Sequence, residues 1–124
     1  IFELKKLIQY CDINNIYVIA IINPYPSTIK KMINNNYNFL YMDKIVPKVK
    51  KFITYENYEI WDLNQLSHMK MNDDEFIDGI HGIEVTAIKI LLSIAKEKSR
   101  ITGLVDTKKL NNDLEERKNN YLVY

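Results

Sequence analysis

Apolar residues recur at Leu4, Leu7, Ile8 and Cys11, with Lys5, Lys6 and Gln9 between them. That i, i+3, i+4, i+7 spacing predicts an amphipathic helix. Asp12 to Asn15 are polar and break it, asparagine being well suited to a turn. From Asn15 the pattern changes to Ile-Tyr-Val-Ile-Ala-Ile-Ile, a continuous run rich in β-branched residues. Such a run predicts a strand buried on both faces, as in parallel sheets covered by helices. Pro24 and Pro26 end it, because proline has no N–H to give a ladder. Ser27 is expected to cap a second helix carrying Ile29, Met32 and Ile33, which Asn34-Asn35-Asn36 breaks. Asp43 is expected to cap a third, whose apolar face is Ile45, Val49, Phe52 and Ile53. Pro47 within it marks a kink or a later start.

Tyr58-Glu-Ile-Trp-Asp-Leu predicts a second, shorter strand, and Leu63 to Asp78 reads as loop. Glu84 to Ala95 is a strongly apolar helix with Ala87, Ile88, Leu91, Leu92 and Ile94. Gly103 signals a turn, Asp106 can cap a last polar helix over about 107–118, and Tyr121 to Tyr124 suits a terminal strand or docking tail. Strands alternating with helices imply crossover connections and a parallel sheet. The expected fold class is therefore α/β, a short parallel sheet flanked by helices, in a single domain over residues 1–124. Two strands make a poor independent sheet, so the chain is expected to be the C-terminal portion of a larger domain, in keeping with a first residue that is Ile1 rather than Met.

Composition narrows this little. Of 124 residues, 47% are hydrophobic and 27% charged, an ordinary globular balance that can bury a core, so disorder is not expected. The longest apolar run, Ile16 to Ile22, is far short of the roughly 20 residues that span a bilayer. Net charge is +1 with the signs interspersed, which gives no one-sided field for nucleic acid. The lone cysteine, Cys11, cannot form a disulfide within the chain and reads as a small buried hydrophobe. Lys48, Lys50 and Lys51 read as the wet side of a helix.

Chemistry concentrates in Asp73-Asp-Glu-Phe-Ile-Asp-Gly-Ile-His-Gly-Ile-Glu, after the second strand and before the apolar helix. Loops at the carboxyl ends of strands in open α/β sheets are where ligands bind. Asp78 and His81 lie three residues apart, with Gly79 between and Gly82 after, so a tight loop can turn both side chains to one cleft. Histidine can take a proton from a hydroxyl and return it to a leaving group. A carboxylate on its other ring nitrogen fixes the tautomer and stabilises the imidazolium. Read without further context, the same pair is a turn carboxylate beside an exposed histidine. Asp73, Asp74 and Glu75 read as a solvated loop. No metal or cofactor is expected: the spacing of His68, Asp73, Asp74, Asp78 and His81 matches neither a closed zinc site nor a calcium-binding EF-hand loop.

Tyr58-Glu-Ile-Trp-Asp-Leu, then Asp74-Glu-Phe-Ile-Asp-Gly-Ile-His-Gly, then an apolar helix, resembles the last conserved block of the SGNH/GDSL hydrolases. The strand ending in Asn23-Pro-Tyr-Pro is similar to the penultimate parallel strand of that fold, and to proteins that move acyl groups onto cell-envelope polymers, such as the D-alanyl transfer proteins. The resemblance covers about residues 1–96. It implies a partial flavodoxin-like three-layer sandwich and a serine triad to which Asp78 and His81 give acid and base. The family's Gly-Asp-Ser block, its oxyanion glycine and its Gly-x-Asn-Asp block have no counterpart here. The serines are Ser27, Ser67, Ser93 and Ser99, and none stands in such a block. The resemblance thus implies a C-terminal fragment of a serine esterase or acyltransferase, inactive alone. Its partners would be a missing N-terminal segment and an O-acylated carbohydrate or envelope polymer, with a location at the cell envelope or outside the cytoplasm. The alternative is a non-catalytic α/β interaction module that associates with itself through its open sheet.

Overall fold

The computed structural model describes residues 2–39, 41–64, 69, 71–78 and 80–117, without the side chain of Asn38. Their order is α1 (Phe2–Ile13), β1 (Val18–Ile22), α2 (Ser27–Asn34), α3 (Met42–Phe52), β2 (Tyr58–Asp62), α4 (Glu84–Lys96) and α5 (Thr107–Glu116). Short 3-10 turns cover Tyr37–Phe39, Asp73–Glu75 and Arg100–Gly103. The protein is α/β, with a two-stranded parallel sheet in the register Val18↔Tyr58 through Ile22↔Asp62.

Alternation along each strand sends Val18, Ala20 and Ile22, with Tyr58 and Ile60, to one face. There they pack on Ile8 of α1, on Val46 and Val49 of α3, and on Ile53. Behind the other face runs α4. Ser99, just past its end, donates to the Glu59 carboxylate, and the Arg100 guanidinium lies 4.5 Å over the Tyr17 ring. The outer side of α4 has a core of its own: Ile83, Val85, Ile88 and Leu92 against Leu110 and Leu114 of α5. Helices therefore lie on both sides of the sheet.

Asn15 ends α1 with a positive φ of 56°, a conformation asparagine tolerates better than most residues. The Ile16 and Asn15 amides reach back to the Cys11 and Asp12 carbonyls, at 2.8 and 3.1 Å, and close the helix. Cys11 is buried there, as its place in the pattern predicts.

Several expectations need correction. Leu7, although in phase with the apolar face of α1, is exposed, and so is Phe52 at the end of α3. Asp43 does not cap α3: it sits in the first turn behind Tyr41, where its charge still favours the positive helix end. The helix runs through Pro47 unbroken. Ser27 does not cap α2 either. It is the first helical residue, and the cap comes from Asp73, 46 residues away. The Asp73 carboxylate accepts from the Ser27 amide at 2.6 Å and from the Thr28 hydroxyl at 2.8 Å. Those bonds hold its pKa below the usual carboxylate range, the Ser27 N–H first. Finally, no residue of β1 is fully buried, and Ile21 is 40% exposed. The strand has the composition for burial on both faces, but among the described residues it has a sheet neighbour on one edge only. His68, Ser67 and the 121–124 segment lie outside the described residues.

Candidate active site

Beyond Glu75 the chain turns back on itself. Phe76 and Gly82 form an antiparallel bridge, and the Ile77 amide donates to the His81 carbonyl at 2.9 Å. Asp78, Ile80 and His81 stand at the tip of this miniature hairpin. One Asp78 oxygen, Oδ1, accepts the main-chain N–H groups of Ile80 (3.1 Å) and His81 (2.8 Å). The other, Oδ2, lies 2.6 Å from His81 Nδ1. The structure thus brings the two predicted residues side by side. The local reason is the short acidic side chain, which closes the turn with one oxygen and orients the ring with the other.

Both groups are open to solvent: the side chain of His81 is 77% exposed and that of Asp78 52%. The Asp78 carboxyl is nevertheless held down to about 2, by the His81 N–H first, then the His81 ring, then the Ile80 N–H. A lowered folded value means that the ionised form is preferred in the turn. What the turn gains from this is complete above the ordinary carboxylate range and is lost as pH falls toward 2. A carboxyl-carbon NMR titration should therefore put Asp78 near 2. A midpoint at the ordinary value near 3.9 would show that the turn does not hold this geometry in solution.

Gly82 has a different function from the one its sequence suggests. It is not needed for a left-handed backbone. A Cβ there would come within 2.7 Å of Thr86 Cβ and closer still to Thr86 Cγ2. Thr86 is buried, stiff at χ1, and tied by its hydroxyl to the Glu75 carbonyl at 2.8 Å. Gly82→Ala should cost about 1–3 kcal/mol of stability by overpacking, read as a lower denaturant midpoint. The added Thr86→Ser should recover part of that loss.

Glu75 is the main surprise of the acidic stretch. Read as solvated, it is 2% exposed. Its Oε1 pairs with Lys89 Nζ of α4 and accepts weakly from Asn72 at 3.4 Å. Its Oε2 has no partner among the described residues. The Glu75 carbonyl also accepts from Ile83 N at 3.3 Å. Glu75 therefore joins the hairpin to α4 and sets where its tip stands.

The tip overlooks a cleft of about 580 Å³ between the carboxyl end of β1 and the start of α4. Ile21, Pro24, Phe76, Ala87 and Ile90 are among its apolar walls, and His81 is at its edge. Asn64, which sequence reading passed over, fixes the opposite lip. Its amide donates to the Asn23 carbonyl and accepts from Tyr25 N, both at 2.8 Å. Both contacts span about 40 residues, so no local pattern announces them.

None of the described serines meets His81. Ser27 donates its hydroxyl to Asp73 at 3.0 Å, while Ser93 and Ser99 are buried. Among the described residues no three metal-ligating side chains converge.

Fold and site together define an α/β domain that carries an ordered, solvent-facing carboxylate–imidazole pair beside a largely apolar cleft. No family model matches the chain, and comparison with curated proteins and with solved structures found no match.

Proposed function

We propose that this chain supplies the acid–base half of a serine esterase or acyltransferase of SGNH type, acting on O-acyl esters of a carbohydrate or envelope polymer. The observation that carries the reading is the 2.6 Å contact from Asp78 to Nδ1 of His81. In the neutral ring that contact keeps the proton on Nδ1 and leaves Nε2 as the base. Two parallel strands between helices are compatible with part of a flavodoxin-like three-layer sandwich, and the cleft beside His81 has room for an acyl group.

The nucleophile in this proposal is a serine from a segment outside these 124 residues. Its hydroxyl proton passes to Nε2 of His81 as Oγ bonds to the acyl carbon. The ester oxygen then leaves with that proton, and Asp78 stabilises the imidazolium in between. Water, or an acceptor hydroxyl, repeats the sequence in reverse to release the acyl group. A polymer substrate of this kind would place the enzyme at the cell envelope.

The test is active-site labelling. In the complete enzyme, a fluorophosphonate should label one serine, and His81→Ala should abolish the labelling. Labelling unchanged by His81→Ala would contradict the proposal. The 124-residue chain alone should cleave p-nitrophenyl acetate no faster than free imidazole. Faster turnover that depends on His81 would locate the nucleophile within these residues instead.

A further inference from the structure

Among the described residues, β1 is paired along one edge only. Val18 N donates to the Asn57 carbonyl, and the Ile22 carbonyl accepts from Leu63 N. The even-numbered residues of β1 therefore direct their main-chain groups to β2. Within a strand, the N–H and C=O of a residue point the same way and alternate from one residue to the next. Those of Ile19 and Ile21 face the opposite edge, where no strand lies among the described residues.

Natural sheets protect such edges with charge, proline or a bulge. Val18-Ile-Ala-Ile-Ile has none of these. Ile21 is 40% exposed, and Ile16, just before the strand, is 48% exposed. The outer edge of β2 is different, because Glu59 and Asp62 belong to that strand and two copies would set like charges together.

We propose that a second copy of the chain occupies the free edge of β1, the two β1 strands running antiparallel about a two-fold axis at Ala20. The strand is complementary to itself in that register. Ile19 of one copy meets Ile21 of the other, so each pair exchanges both of its free hydrogen bonds. Ala20 meets Ala20 in the non-hydrogen-bonded position between them, where Cα atoms approach to about 4.5 Å and a small side chain fits best. The product is a continuous four-stranded sheet with two uncharged strands at its centre. A two-fold contact of this kind is closed, so it yields a dimer rather than a fibre. This inference does not depend on the hydrolase reading. A strand from a serine-bearing segment would compete for the same edge.

Sedimentation and amide exchange test it. At NMR concentrations the 124-residue chain should sediment with the mass of two chains, and the Ile19 and Ile21 amides should lose their protection on dilution. Ile21→Pro removes one edge N–H and leaves the bonds of Val18, Ala20 and Ile22 to β2 in place. It should give a monomer with an unchanged far-UV spectrum. Ile21→Lys, which keeps the N–H and adds a charge, should do the same even if the proline variant folds poorly. A wild-type monomer would overturn the proposal and leave the edge to another strand. A dimer that persists in Ile21→Lys would overturn it by placing the contact on another surface.

Discussion

Lys89→Met should be among the most damaging single substitutions for stability, lowering it by about 3 kcal/mol and the melting temperature by about 10 °C. The reason is asymmetry. Glu75 is 2% exposed and, among the described residues, draws its cationic contact from Lys89, while Oε2 already lacks a partner among them. Taking the ammonium away leaves a carboxylate in a place where water cannot replace it. Lys89 is itself 23% exposed, so the cost should fall at the lower end of the range of about 3–5 kcal/mol for broken buried pairs. Replacing both partners, Glu75→Leu with Lys89→Met, should restore most of the loss, because a well-packed apolar pair can match a buried ion pair. Chemical denaturation of the four proteins of that cycle measures it. Equal stability of Lys89→Met and the native chain would mean that the pair is solvated in solution and does not anchor the hairpin.

The largest expected effect on activity belongs to His81. If the imidazole moves the proton in both halves of an acyl transfer, His81→Ala in the complete enzyme should lower kcat by about 10³-fold or more, with KM little changed. Asp78→Asn should cost less, about 10²-fold, because the 52% exposed carboxylate leaves water able to stand in for part of what it does. The order of the two variants is as informative as their size. An Asp78→Asn variant worse than His81→Ala would point to a carboxylate that does chemistry itself rather than orienting a ring.

Much of this architecture can be read from the chain because local period and local structure agree. The run from Glu84 is helical by composition and by burial, and Asp106 caps α5 by accepting from Lys109 N at 2.9 Å, as its place before a polar helix predicts. The Asp78–His81 turn is also local, and three residues of spacing suffice to anticipate it. Asp43 and Pro47 are local misreadings within α3, but the failures that shape the site are tertiary. Ser27 looks like a cap, yet a carboxylate 46 residues further along the chain takes the position. Glu75 looks solvated beside Asp73 and Asp74, yet a lysine 14 residues later reaches back to it from α4. Asn64 has no pattern to mark it, because both of its contacts to the loop after β1 are about 40 residues distant in sequence. β1 shows the limit from the other side: its composition asks for burial on both faces, yet none of its residues is fully buried and Ile21 is 40% exposed.

In the proposed acyl transfer, Asp78 fixes the tautomer of His81 and leaves Nε2 free to accept a proton. Long-range nitrogen–proton NMR reads this directly from the ring. In its neutral form His81 should carry its proton on Nδ1, and Asp78→Asn should shift that preference toward Nε2–H. A native ring with its proton mainly on Nε2, and indifferent to Asp78→Asn, would contradict the account.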